Sequence, residues 1–440
     1  MVQEKTIQYD AIVAGSGPGG ATVARELSRR GMKVLILEWG GGEPLTGSLK
    51  QAATMVGVPG QSLLFTAQGL SMARGITVGG SSVIYCGTAF EPPHEMLASY
   101  GMDIRKEVAE VRAELPIGPL SDGLMGPQQT RIMESAQDLG YAWNKIDKYL
   151  YQDKCLGGCD RCFLGCPHRA KWTARNWVEE ACENGATLIT RARVKRVILE
   201  NGKAVGVTYS QWGREHKALA PLTIISAGGI GTPVILRNTG LKRAGYDFFF
   251  DPLITVFGAA DDLSGRGEVP MAAGVHLPGD GYMMTDMTVH HSLYEAFSAQ
   301  VGRVDRLFAH KRTMAIMIKA KDSLGGHLTD SGGVRKNLAK SDAKKLAHGY
   351  ERARKILANA GAKNIYKSWY IAAHPGGTAK VNELVDKNLK TEIDNLYVCD
   401  CSVIPEAWGL PPTLTLLGLG KRLAAHLAEK AGRKEEAAAA

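Results

Sequence analysis

The chain has 440 residues, of which 45% are hydrophobic, 22% charged and 7% aromatic. These proportions exclude disordered, collagenous and coiled-coil classes, and the length implies two domains. Fifty-three basic against 44 acidic side chains leave +9. That excess is mild and forms no compact Lys/Arg patch interleaved with aromatics, which argues against nucleic acid as a partner. No uncharged apolar run reaches the ~18 residues of a spanning helix. Residues 1–10 lack the charged, apolar, small-residue order of a leader. A soluble cytoplasmic protein is therefore expected.

Residues 11–14 read as a short buried strand, 21–30 as a helix and 34–37 as a second strand. Strand, helix and strand in that order imply parallel pairing. Residues 59–90 are glycine-rich and read as irregular. Residues 127–140 are helical in pattern, and 151–171 carry four of the eight cysteines. Three strand-like runs follow at 187–189, 194–199 and 222–226, then a glycine turn and a short helix near 233–237. Weak alternation over 250–320 predicts a separate sheet. A polar-faced helix is expected at 342–361, a last strand at 395–400 and a long helix at 412–431, with a frayed tail. The methionine-rich run 283–287 is expected to pack in the core.

Gly15-Ser16-Gly17-Pro18-Gly19-Gly20 fits G-x-G-x-x-G between a strand and a helix, the context in which that motif binds a dinucleotide. Gly15 permits the tight turn, Gly17 lets backbone approach a pyrophosphate, and Gly20 allows helix to pack on strand. Pro18 and Gly19 open the helix, whose N–H groups face the phosphates. Glu38 ends the second strand, placed to accept from ribose hydroxyls. A motif this close to the N-terminus, with matching elements at the far C-terminus, favours FAD over NAD.

Three further segments carry a family resemblance. Residues 73–82, ending Gly79-Gly80-Ser81-Ser82, resemble the first signature of the glucose-methanol-choline (GMC) oxidoreductases. Residues 226–233, which include Ala227, resemble the second. His374-Pro375-Gly376-Gly377-Thr378, with residues 395–400 and Pro412-Thr413, resemble the C-terminal block. The resemblance implies an α/β fold, with a Rossmann-type FAD-binding domain and a smaller α+β substrate domain on an antiparallel sheet. The first would comprise residues 1–95, 151–250 and 371–440; the second, 96–150 and 251–370. It also implies that Gly79, Gly80, Ser81 and Ser82 lie along the flavin, that Val194 meets the adenine, and that Ala227 adjoins the cofactor. Asp400 would bond the ribityl-phosphate region, and Pro412-Thr413 would begin a helix whose positive end faces the flavin pyrimidine. His374 matches the catalytic histidine, taking the alcohol proton as hydride leaves for flavin N5. Where the family places a second Asn or His, this chain has Pro411, which has no polar side chain. Either His374 works alone or a partner comes from elsewhere, with Tyr370, His290 and His291 as candidates.

Cys155, Cys159, Cys162 and Cys166 form C-x3-C-x2-C-x3-C-P, close to the ferredoxin spacing. An iron–sulfur cluster, [4Fe-4S] or [3Fe-4S], is the first expectation. Structural zinc, disulfides and free thiols are the alternatives. The resemblance to cysteine-rich GMC members covers residues 165–173 and leaves the metal open.

The expected activity is FAD-dependent oxidation of a CH–OH group. Electrons would leave through the cluster to an external acceptor such as a ferredoxin, a cytochrome or a quinone-linked protein, with a partner subunit conceivable. The alternatives are a ferredoxin-linked reductase or desaturase of C–C bonds and a non-catalytic electron-transfer subunit. The substrate, the acceptor and the oligomeric state are not encoded in any motif.

Overall fold

The computed structural model describes residues 9–265 and 267–439, with side chains described up to residue 430. Five short strands form an all-parallel sheet in the order Leu396–Val398, Leu222–Ile225, Ala11–Ala14, Val34–Leu37 and Thr187–Ile189. Ala11–Ala14 and Val34–Leu37 are buried throughout, as strands covered on both faces must be. Helix Pro18–Ser28 packs between this sheet, helix Ala174–Glu183 and the closing helix Thr413–Ala439. The strand after Ala11–Ala14 lies on one side and Leu222–Ile225 on the other. The carboxyl ends of those strands therefore flank a topological switch point, where α/β sheets bind ligands.

A second sheet of nine strands is mainly antiparallel, with Pro252–Ala259, Thr313–Ala320 and Tyr282–Asp286 as central neighbours. Period-2 alternation divides its faces. Ile254, Val256, Ile316 and Ile318 pack in the same core cluster as Leu346, Ala353, Ile356 and Leu357 of helix Lys340–Asn359. Leu253, Phe257, Ala315 and Met317 belong to a different cluster that reaches Leu410. Lys319 keeps step with Ala315 and Met317. Among the described residues no helix is long and apolar enough to cross a membrane.

Several expectations need correction. Residues 59–90 contain strands Leu63–Phe65 and Ser71–Ala73, which join the nine-stranded sheet beside Ile371–Ala372. Helix Arg105–Glu114 packs against the closing helix, with Val108 and Val111 in the parallel-sheet core, so residues 97–115 do not sit with the second sheet. The helix expected near 233–237 runs Gly228–Thr239 and includes its glycines. The closing helix continues to Ala439 where fraying was expected. The opening residues 1–8 lie outside the described residues.

Candidate active site

The glycine motif builds a cradle at the switch point. Gly15 has φ +107°, and a Cβ there would lie 2.2 Å from the Ser226 carbonyl oxygen. Added Cβ atoms at Gly19 and Gly20 would meet Cys399 O at 2.0 Å and Gly15 O at 2.1 Å, so both glycines are demanded by backbone packing. Gly17 differs, because nothing lies within 4 Å of its added Cβ. It is the N-cap of helix Pro18–Ser28 and has no side-chain cap, so the first N–H groups of the helix receive no acceptor from the cap residue.

The GGSS segment closes on this turn. The Gly79 N–H donates to Ser16 Oγ at 3.0 Å, and a Cβ on Gly80 would stand 3.0 Å from Gly17 Cα. Ser81 and Ser82 have structural duties: Ser81 Oγ accepts from Gly75 N–H, while Ser82 Oγ donates to Gly79 O and accepts from Ala174 N–H. Glu38 is buried and already engaged by the chain. It accepts from Ser16 N–H at 3.0 Å, Ser16 Oγ–H at 2.6 Å and Gly40 N–H at 2.7 Å. Burial raises its carboxyl above the usual range, opposed by these donors.

Asp400 joins three elements. It accepts from Gly228 N–H and Thr232 Oγ1–H, tying down the helix that Ala227 caps, and from Ser402 N–H on its own turn. Burial pushes its carboxyl up. Val194 is buried in strand Ala192–Glu200, and Thr413 is buried after Pro412 at the start of the closing helix.

His374 has φ +48°, a left-handed conformation that a non-glycine residue holds only when its surroundings impose it. Its Nδ1 lies 3.3 Å from Asp251 Oδ2 and 3.3 Å from Lys319 Nζ, and Lys319 Nζ lies 3.3 Å from the same carboxylate oxygen. Asp251 also has a left-handed φ, +43°. Among the described residues, no protein group hydrogen-bonds the His374 Nε2. Burial, then Lys319, lower the imidazole from its ordinary range, while Asp251 opposes them. An apolar cluster adjoins: Leu253, Met283, Met317 and Leu410, with Ala373 and Trp408 packed against it.

Sequence reading missed Asp251 and Lys319. Their only signal is a lone lysine in the apolar run 314–320 and an aspartate after three phenylalanines. Among the described residues none of the proposed stand-ins for the missing second base hydrogen-bonds His374. His290 Nε2 and His291 Nδ1 stand 3.6 and 3.4 Å from Asp160, and Tyr370 packs between two core clusters. Asp160, His290 and His291 meet within 4.8 Å. His290 Nδ1 accepts from Ser292 N–H, and it is His291 Nδ1 that is within hydrogen-bond reach of Asp160 Oδ2, at 3.4 Å.

The four cysteines share one loop, but no three of their sulfurs lie within 4.8 Å of one another. The expected convergence on a cluster is not met. Burial pushes the Cys162 thiol up to about 12 and also raises Cys155 and Cys159. Two buried lysines nearby bond carbonyl oxygens instead: Lys171 those of Val83, Tyr85 and Cys162, and Lys148 those of Cys86, Pro270 and Met271.

The family profile described as GMC oxidoreductase matches residues 9–254 in its N-terminal part and 334–420 in its C-terminal part. The chain belongs to the GMC oxidoreductase family. It is 30% identical over 421 residues to an uncharacterised protein of Methanocaldococcus jannaschii, covering 94% of this chain and 98% of that one. It is 24% identical to the long-chain-alcohol oxidase FAO1 of Arabidopsis thaliana, covering 96% and 67%. The crystal structure of pyridoxine 4-oxidase from Mesorbium loti superposes with a TM-score of 0.75 at 16% identity, covering 96% and 99%, which shows the fold. The protein is an FAD-dependent oxidoreductase of this family.

The residues fit FAD. The cradle at Gly17 is open to a pyrophosphate. Beside Glu38 the guanidinium carbons of Arg74 and Arg193 stand 5.3 and 4.1 Å from the Trp39 ring centroid, and among the described residues neither has an ion-pair partner. Burial, then repulsion from Arg193, bring Arg74 down to about 10. Both guanidinium groups are half-buried and lie beside the single carboxylate of Glu38, so an anionic cofactor there would add a second counter-charge.

Proposed function

We propose that the protein oxidises a hydroxyl-bearing carbon of a small alcohol with an apolar body to a carbonyl, with His374 as the base. FAD, when bound, supplies the two-electron acceptor. The observation that carries the proposal is the placement of His374: Nδ1 faces Asp251 Oδ2, which Lys319 also bonds, while among the described residues Nε2 has no protein partner. With the ring proton on Nδ1, the Nε2 lone pair can accept the hydroxyl proton. Lowering of the imidazole below its ordinary range keeps that lone pair available near neutral pH. Met283, Met317, Leu410 and Trp408 would exclude water and hold the alkyl part of the substrate.

The opening turn, Asp400 and the start of the closing helix would hold the cofactor. Gly17 would take the pyrophosphate, and Gly79 and Gly80 would lie along the ring system. Thr413 begins a helix whose positive end favours developing negative charge. The relatives named as long-chain-alcohol oxidase and pyridoxine 4-oxidase both act on hydroxyl groups by their names, which supports this substrate class. Electron exit through an iron–sulfur cluster does not enter the proposal, because the sulfurs of Cys155, Cys159, Cys162 and Cys166 do not converge.

The test is anaerobic mixing of the FAD-loaded protein with primary alcohols of increasing chain length. Bleaching of the oxidised flavin band is expected, and His374→Ala should slow it by ~10²-fold or more. No bleaching by any alcohol, together with reoxidation of reduced flavin by activated alkenes, would instead select C–C bond reduction.

A further inference from the structure

Pro411 and Pro412, just before the closing helix, carry no polar side chain that could assist His374. The charges that face the imidazole come from the second sheet. Asp251 immediately precedes strand Pro252–Ala259, and Lys319 stands on strand Thr313–Ala320, in register with Leu253. Both side chains are almost fully buried. Asp251 Oδ1 has no partner, so Lys319 Nζ and His374 Nδ1 converge on the single oxygen Oδ2, each at 3.3 Å.

We propose that Lys319 is a positioning residue of this site. Sharing Asp251 Oδ2 with the Nδ1–H of His374, it fixes the imidazole with its Nε2 lone pair toward the substrate and keeps the ring from taking a proton prematurely. The inference rests on His374 being the base. A carboxylate alone beside the ring would favour imidazolium, whose Nε2 cannot accept a proton. An ammonium at the same 3.3 Å from Nδ1 opposes that. A ring proton on Nε2, with Nδ1 accepting from Lys319, would also disable the base, and the Asp251 carboxylate disfavours that tautomer. The left-handed backbone at both Asp251 and His374 indicates that the arrangement is imposed by the fold.

The remaining titratable groups around the imidazole are few. The Cys401 thiol lies 3.8 Å from the His374 carbonyl oxygen. Behind Asp251, Asp322 accepts the Asp251 N–H at 3.1 Å and pairs with Lys336 at 2.9 Å. Cys86 and Cys401 face Lys319. Burial raises Cys86 to about 11 and lifts Cys401 well above the ordinary thiol range, so neither supplies a negative charge near neutral pH.

The experiment is an NMR titration of the FAD holoenzyme carrying isotopically labelled histidine, with the His374 signal assigned by its loss in His374→Asn. Lys319→Met should raise the His374 pKa by about one unit or more, because the opposing charge is gone. Asp251→Asn should lower it, and Lys319→Arg should leave it near the wild-type value. The acid limb of the pH profile for flavin reduction should move with the NMR value. Should Lys319→Met not fold, the double variant with Asp251→Asn removes both charges together and should titrate above Asp251→Asn alone. An unchanged or lowered His374 pKa on loss of Lys319, in either background, overturns the proposal. The NMR readout does not depend on turnover. Normal flavin reduction in His374→Asn would therefore remove the base assignment by a separate observation.

Discussion

Gly229→Ala probes the link between the cofactor cradle and the base. Gly229 lies in helix Gly228–Thr239, and a Cβ there would fall 1.9 Å from the Pro375 carbonyl oxygen and 2.6 Å from its carbon. Both are backbone atoms of the residue after His374, so no side chain can swing aside. The 375–377 backbone must retreat, straining the Thr378 Oγ1–H bond to Gly229 O. Overpacking of this kind costs about 1–3 kcal/mol, against about 1 kcal/mol gained by replacing glycine inside a helix. Gly229 is the second residue of its helix, so that gain is smaller there and the net destabilisation stays within about 1–3 kcal/mol, while the Pro375 backbone must retreat by about 1 Å to relieve the contact. Misplacement of about 1 Å costs up to ~10²-fold in rate. The assay pairs thermal unfolding with anaerobic flavin reduction in protein of matched FAD content. The expected result is a melting point within a few degrees of wild type and reduction slowed at least tenfold. A reduction rate equal to wild type would refute the coupling of this helix to the imidazole.

Three further outcomes are expected. Gly17→Ala adds a methyl group that meets no protein atom, so apo-protein stability should hold while FAD affinity, read by fluorescence titration, falls at least tenfold. Equal affinity would remove the pyrophosphate from that turn. Asp400→Ala leaves Gly228 N–H and Ser402 N–H without their acceptor and should cost about 1–3 kcal/mol in denaturant unfolding; no loss would contradict its capping role. Glu268 is buried, accepts from Gln128 and Gln129 N–H, and is raised by burial to about 7. A carboxyl raised above its unfolded value favours the protonated fold. Its contribution, on the order of 3 kcal/mol, is full below pH ~4.5 and lost as pH rises through ~7. Stability should therefore fall between pH 5 and 8, and Glu268→Gln should flatten that slope; an unchanged slope would count against the burial of this group.

The opening unit was legible because its glycines answer to backbone contacts: Gly15, Gly19 and Gly20 each face a carbonyl oxygen where no Cβ fits. Strand 34–37 and helices near 127–138 and 340–359 followed from period and composition. Helix Gly228–Thr239 was read short because glycine is a poor helix former, yet close approach to Pro375 requires it here. The motif singles out His374, whose role as base is the reading proposed above. Asp251 and Lys319 were not, because 68 residues of sequence separate them and only pairing of two strands brings them together. Cysteine spacing was misleading for a related reason: spacing fixes how far apart sulfurs are along the chain, not the direction each one points.

The central claim is that His374 takes the hydroxyl proton of an alcohol while FAD takes the electrons. Anaerobic stopped-flow reduction with an alcohol and its α-deuterated form, in wild type and His374→Ala, tests it most directly. Flavin bleaching that slows on deuteration and falls by ~10²-fold or more in the variant is the predicted result. Bleaching at the wild-type rate in His374→Ala, or none in wild type with any alcohol, would contradict it.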